Sequence, residues 1–166
     1  NQIGESGYSN ETSATPKAVS VDLKLQYDCN EPDTSVKNIQ PDFLIVNNGS
    51  GSVDLSKLTI RYWYSSEHSS SEEFDIRWAE CGNSNVQGRY GDNSNGHYLE
   101  VGFTSGAGSV NGNDDCKVKV TTHYSDWKYY DQSDDYSFDP NKTSFTDWDH
   151  ITLYYNGILV WGVEPN

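Results

Sequence analysis

The chain is poor in aliphatic side chains, basic residues and histidine, and it has no long apolar run. Each shortage excludes something. Hydrophobic residues make up only 34% of the 166 positions, and no segment sustains apolar residues at helical spacing over three turns, which argues against a helical bundle. Eleven Lys and Arg stand against 25 Asp and Glu, a net charge of −14. Nucleic acids and anionic membranes both select basic surfaces, so neither is an expected partner. No run approaches the ~18 apolar residues of a membrane span, and no signal peptide is recognisable. The opening Asn-Gln-Ile-Gly-Glu-Ser-Gly reads as a piece of a longer protein. The four histidines and the cysteines at 29, 81 and 116 match no zinc spacing. Three cysteines allow one disulfide with a thiol left over, or none, and the pairing stays open.

What the chain has instead is aromatic: 13% of its residues, with 12 tyrosines. Few aliphatics with many rings suit a β-sandwich with rings on its surface. Residues 1–19 are rich in Ser, Thr, Asn and Gly and read as a linker. From Ser20 to Asn166 the pattern is that of one domain. Val21, Leu23, Leu25 and Tyr27 alternate with polar residues; Leu58, Ile60, Tyr62 and Tyr64 share one face opposite Thr59, Arg61 and Trp63, and Leu99, Val101 and Phe103 are expected inward. Further strands are expected over 42–47 and 117–124. Ile151, Leu153 and Tyr155 run into Asn156-Gly157, a tight-hairpin signal, and 158–161 returns as the last strand. The expected fold is all-β, an antiparallel sandwich with Greek-key or jelly-roll connections. Three Asn-x-Ser/Thr triplets, at Asn10, Asn48 and Asn141, are common by chance in such a composition.

One stretch concentrates chemistry. In Ser125–Phe138, Trp127, Tyr129 and Tyr130 are flat plates of the kind that stack on sugar rings. Asp131, Asp134 and Asp135 are hard oxygen donors at short spacing, which calcium prefers. Neither set needs a nucleophile or a general base, so the pattern points to holding a ligand. The acidic count would allow a glycosidase, but nothing selects a carboxylate pair.

In order and spacing, several segments are similar to a known family: 23–27 (Leu-Lys-Leu-Gln-Tyr), 39–43 (Ile-Gln-Pro-Asp-Phe), 47–50 (Asn-Asn-Gly-Ser) and 53–64, ending Arg61-Tyr62-Trp63-Tyr64. Asp126-Trp127, the 132–138 run Gln-Ser-Asp-Asp-Tyr-Ser-Phe, Trp148-Asp149 and the closing 153–165 continue the match. Over Val19 to Pro165 the chain resembles a family 3 carbohydrate-binding module, the cellulose-binding type found in bacterial cellulases, cellulosome scaffoldins and anti-sigma factors. The resemblance implies a jelly-roll sandwich of about nine strands, a structural calcium ion and a flat strip of aromatic and polar residues that lies on cellulose. It also implies no catalysis, covalent linkage to other domains, a monomer, and an extracellular or cell-surface bacterial setting.

Carried over by position, the calcium ligands fall on Ser65, Glu67, Asp131, Asp134 and Asp135, with Glu67 where the family more often has Asp. Of the strip, the family Trp is matched by Trp127. The Asp-His pair falls on Arg77-Trp78 and the Arg on Thr121, so the family's Arg–Asp support is expected to be absent. The loop that holds the family Tyr is shortened between Cys81 and Gly91. The expected strip is Trp78 and Trp127, helped by Arg77 and by Tyr90, Tyr124 or Tyr129. Trp148 and Trp161 are expected in the core, and Trp63 with Arg61 in the shallow groove that the family carries on its other face. A helper module without cellulose binding of its own, a scaffoldin appendage, and the polysaccharide-sensing module of an anti-sigma factor all remain compatible with the chain.

Overall fold

A computed structural model describes residues 20–166; the linker expected over 1–19 lies outside the described residues. Nine strands of four or more residues carry the fold. They are β1 (Leu23–Cys29), β2 (Pro41–Asn47), β3 (Leu58–Tyr64), β4 (Glu72–Ala79), β5 (Val86–Asn93), β6 (Gly96–Phe103), β7 (Asp114–Tyr124), β8 (Ile151–Tyr155) and β9 (Ile158–Trp161). Two-residue segments extend the sheet edges. The helical content among the described residues is short 3-10 turns, and no helix there is long and apolar enough to cross a membrane.

The strands form two antiparallel sheets. In the first, Thr146–Asp147, β1, β2 and β7 lie side by side, and β4 pairs with the far edge of β7. Asn38–Ile39 pairs with the end of β7 on the same side as β2. The second runs β9, β8, β3, β6, β5. The chain changes sheets repeatedly: β1 and β2 in the first, β3 in the second, β4 back in the first, β5 and β6 in the second, β7 in the first.

Alternation sets which side chains meet between the sheets. Leu25, Phe43, Ile45, Val118 and Val120 from one sheet face Leu58, Ile60, Tyr62, Val101 and Leu153 from the other, all buried. The ring-rich composition fills the end of this core beneath the β7 terminus, where Tyr62, Tyr64, Tyr124 and Tyr130 form a chain of ring contacts. Trp148 and Trp161 pack against the core, as expected from their positions. Trp63 lines one edge of a surface recess with Tyr64, His97 and Tyr136 but is itself almost wholly covered. It is 1% exposed, its Nε1 donates to Thr152 Oγ1 at 2.9 Å, and Tyr98 packs edge-on against it.

The β8–β9 turn has positive φ at Asn156 (49°) and Gly157 (79°), the two-residue geometry that Asn-Gly favours. β4 and β5 gave no clear signal because both are edge strands in which charged and polar residues interrupt the apolar alternation. Phe74 of β4 lies over Gly88 of β5, so that a Cβ at Gly88 would fall 2.3 Å from the ring. This close approach packs the edges of the two sheets together. Gly88→Ala should therefore destabilise the domain by about 1–3 kcal/mol. In urea unfolding the midpoint is expected to fall with an unchanged slope.

Candidate functional site

The outer face of the first sheet is built by the opposite set of alternating residues. On β7 these are Lys119, Thr121 and His123, while Val118, Val120, Thr122 and Tyr124 point into the core. β4 places Glu73 opposite His123, Asp75 opposite Thr121 and Trp78 opposite Lys119. The register shifts between Lys119 and Val120, and Arg77 is the extra residue at that irregularity. A bulge of this kind re-aims a side chain. Here it lays Arg77 across β7, where Nε donates to Thr121 Oγ1 at 3.1 Å and to the Val120 carbonyl at 3.2 Å.

The Arg77 guanidinium ends on Asp42 of β2, with which it forms an ion pair. Lys119 reaches the other Asp42 oxygen at 3.3 Å. The absence of an Arg–Asp support expected from Thr121 is therefore corrected: the cation comes from β4 and the carboxylate from β2. Asp42 is only 1% exposed, and a carboxylate so buried needs its cations. Asp28 sits opposite Asp42 on β1. Its pKa is raised by burial first and then by the Asp42 charge, against the pull of Lys119 and Arg77.

Two tryptophans stand out of this face. Trp127 is 50% exposed and Trp78 47%. The Trp127 indole lies flat on the His123 imidazole, with centroids 3.9 Å apart and planes 4° from parallel. His123 is held in turn by Asp75 Oδ2 at 3.1 Å. Trp127 has φ +55° in the tight turn after β7, closed by its N–H to the Tyr124 carbonyl at 2.9 Å. That conformation costs a non-glycine residue about 1–2 kcal/mol, and the stack on His123 is what it sets the ring to make. The Trp78 row lies four β7 residues from the His123 row, ~13 Å along the strand. Between and beside them runs a ladder of amides that sequence reasoning missed. Asn30 Nδ2 donates to Gln40 Oε1 at 2.7 Å, and Gln40 Nε2 donates to Asn38 Oδ1 at 3.3 Å. Asn38 is the backbone partner of His123. The only sequence signal for this ladder was the alternation of Asn38 and Gln40 around the buried Ile39.

Two of the expected strip residues are elsewhere. Tyr124 is fully buried, stacked on Tyr130 at 4.2 Å. It belongs to the inward set of β7, so it cannot meet a polymer. Tyr90 lies in the second sheet, half-buried against the core, with its hydroxyl 2.8 Å from Thr122 Oγ1. Tyr129 is exposed beyond Trp127, with Lys37 Nζ 5.4 Å from its ring centre.

Of the residues proposed for a metal, Glu67, Asp134 and Asp135 present carboxylate oxygens within 4.8 Å of one another. Ser65 lies beside them and donates its backbone N–H to Asp135 Oδ1 at 2.7 Å. Asp131 does not join them through its side chain: its carboxylate accepts from the N–H and hydroxyl of Ser133, which lowers its pKa. Asp135 Oδ2 is buried with no hydrogen-bond partner. Burial, opposed by the Ser65 N–H, and then the charges of Glu67, Asp134 and Asp131 push the Asp135 pKa up to about 8. An orphaned buried oxygen facing two more carboxylates fits a hard cation.

The family model described as "Cellulose binding domain" matches residues 24–162. The chain is 40% identical over 152 residues to endoglucanase A of Paenibacillus lautus; the alignment covers 89% of the chain but only 22% of that enzyme. It superposes on the module CBM3b of the cellulosomal cellobiohydrolase 9A from Clostridium thermocellum with a TM-score of 0.81 and 35% identity, over 86% of this chain and 97% of that one. The biomass sensing modules of Rsgi-like proteins from Clostridium thermocellum give 0.83 and 32%, over 86% and 98%.

With divalent ions removed by chelator, stability should fall as pH rises from about 4 to about 8. Below about 3.9 Asp135 is protonated in both states and its contribution is complete. Above that the unfolded chain releases the proton while the fold retains it, at up to about 1.4 kcal/mol per pH unit. His97 acts in the same sense: burial lowers its pKa, but hydrogen bonds to Glu72 and Asp92 outweigh this and raise it. Asp135→Asn isolates the carboxylate, and melting curves against pH should be flatter for this variant than for the wild type.

Proposed function

The chain belongs to the family 3 carbohydrate-binding modules, a non-catalytic domain type, and from that premise we propose that it binds cellulose or a related β-glucan on the outer face of its first sheet. The observation that carries this is the Trp127–His123 stack: an exposed indole held flat by a ring beneath it, on the same sheet face as Trp78. The apolar C–H faces of a glucan chain lose water against a flat ring and gain dispersion contacts. A ring already fixed by its support loses little entropy on binding. Tyr129 extends the row. Arg77, Lys119, Gln40 and Asn38 offer hydrogen bonds to sugar hydroxyls beside the rings. Two exposed tryptophans favour direct binding over a helper role without a ligand of its own.

Glu67, Asp134 and Asp135 would hold a calcium ion, with Ser65 and Asp131 contributing backbone oxygens. Bound there, the ion supplies positive charge to three clustered carboxylates and ties the loop after β3 to the loop before β8. Relatives of the chain include enzymes and sensors far longer than itself. We therefore read it as one module of a larger extracellular or cell-surface protein, monomeric by itself and joined covalently to other domains. A polysaccharide sensor and a cellulase appendage both accommodate such a module, and the likeness to the Rsgi-like modules supports the first.

Depletion from solution by microcrystalline and by amorphous cellulose tests the binding face. Wild type should be retained, while Trp127→Ala and Trp78→Ala each lower affinity about tenfold or more; Tyr124→Phe should keep it. Equal retention of wild type and Trp127→Ala removes that ring from the platform, and no retention of wild type overturns the reading. For the ion, adding calcium to chelated protein should raise the melting temperature by mass action, and Asp134→Asn should reduce the gain. Identical melting with calcium and with chelator rejects the site.

A further inference from the structure

We propose that Cys81 and Cys116 form a disulfide that staples the end of β4 to β7. The end of β4 brings them together. Ala79 of β4 pairs with Val118 of β7. One step on, the Glu80 N–H donates to the Lys117 carbonyl at 3.0 Å, and the Lys117 N–H donates to Glu80 Oε2 at 3.0 Å. There β4 ends: the Gly82 N–H donates to the Ala79 carbonyl at 3.0 Å, and this turn carries Cys81 to Cys116, with which it shares a side-chain hydrogen bond. A disulfide needs Cα atoms ~4.4–6.8 Å apart, and Glu80–Lys117, the last backbone-bonded pair, is one residue from both cysteines. Cys116 points inward like Val118, and both cysteines line one surface recess together with Glu80 and Asp115.

Cys29 is not a competitor. Cys116 pairs with Ile45, and Ile45 with Leu25. Cys29 lies four residues farther along β1, ~13 Å away. It is buried, with its thiol directed to the Glu31 carbonyl.

The chemistry has a direction. Cys116 is buried and its pKa is pushed up to about 12, by burial first and then by the neighbouring Cys81 and Glu80. Cys81 is only partly buried; burial raises its pKa, and hydrogen bonding to its own backbone and to Cys116 draws it down. Cys81 is thus the thiol that a solvent-borne oxidant meets first. With a low-molecular-weight disulfide as oxidant, the Cys81 thiolate attacks one sulfur and releases one thiol. Cys116, on losing its proton, attacks Cys81 Sγ of the mixed disulfide and releases the second. Two protein thiols are oxidised and one small disulfide is reduced to two thiols.

Once formed, the bond closes the chain from 82 to 115 and pins β4 three residues after Trp78. The formation of the bond does not depend on what the platform binds, so its test needs no polysaccharide. The folded chain is incubated with oxidised glutathione, denatured in N-ethylmaleimide and analysed by intact mass and peptide mapping. One maleimide adduct, on Cys29, and a peptide linking Cys81 to Cys116 are expected, with three adducts after prior reduction. The oxidised protein should melt about 5–10 °C above the reduced one, and Cys81→Ser and Cys116→Ser should each abolish that difference. Three adducts, a glutathione left on Cys81, a bridge to Cys29, or a redox-dependent melting shift that survives either substitution would overturn the proposal.

Discussion

The backbone pairing of Asp114–Tyr124 on both its edges is the constraint on which the rest of the structure depends. This strand holds β2 and Asn38–Ile39 on one side and β4 on the other. Because its side chains alternate, one register decides two surfaces at once. Val118, Val120, Thr122 and Tyr124 enter the core, and Lys119, Thr121 and His123 enter the outer face. A slip by one residue would exchange them, turning His123 and Lys119 into the core and Val120 and Tyr124 out of it. The irregularity opposite Lys119 and Val120 uses this constraint: it keeps Trp78 and Asp75 on the outer face while turning Arg77 across the strand to Asp42.

Each sheet carries a buried carboxylate held by cations on its outer face, and the two differ in consequence. Glu100 of β6 is 3% exposed between Arg61 of β3 and Arg89 of β5. Arg61 in turn lies over the rings of Tyr98 and Tyr154, 4.2 and 4.6 Å from their centres. Arg89 and Glu100 line a recess on that face, while its tryptophan, Trp63, is covered. On the first sheet Asp42 is held by Arg77 and Lys119, and the tryptophans there stay uncovered. Buried pairs of this kind contribute little net stability but are costly to break. They fix where the surrounding side chains lie, and on the first sheet that leaves Trp78 and Trp127 open to solvent.

Much of this was legible because alternation at period two is a strong signal where one face is apolar. β1, β3, β6, β7 and β8 were readable from Leu25 and Tyr27, Ile60 and Tyr62, Val101, Val118 and Leu153. β4 and β5 were not: as edge strands rich in Glu, Asp, Arg and Asn they offer the core few residues, and their pairing is decided by neighbours distant in sequence. The candidate site divides along the same line. Trp127 was legible as a ring in a polar loop. His123, Asp42 and the Asn30–Gln40–Asn38 ladder were not, because each acquires its role from a strand partner that sequence spacing does not reveal. Tyr124 was misplaced for a related reason. It sits next to the loop of exposed rings, but it is the last inward residue of β7, and parity outweighs proximity.

The acidic cluster and the aromatic platform are joined through that same tyrosine. The Tyr124 hydroxyl is 3.2 Å from Ser66 Oγ, 3.3 Å from the His68 N–H and 3.4 Å from Glu67 Oε2. Farther along the loop, the Ser125 N–H donates to the Ser71 carbonyl at 2.8 Å, and Ser70 Oγ donates to Asp126 Oδ2 at 2.7 Å. The loop that carries Glu67 is therefore the scaffold of the turn that carries Trp127. Without a cation Asp135 keeps its proton up to about pH 8, the charges of Glu67 and Asp134 still repel, and the cheapest relief is for the exposed Glu67 to move away. Any such movement loosens the contacts at Ser66 and His68, and behind them the turn that presents the indole. An ion at Glu67, Asp134 and Asp135 would act on polysaccharide binding without touching the polysaccharide, by keeping the Trp127 ring fixed on His123 before a ligand arrives.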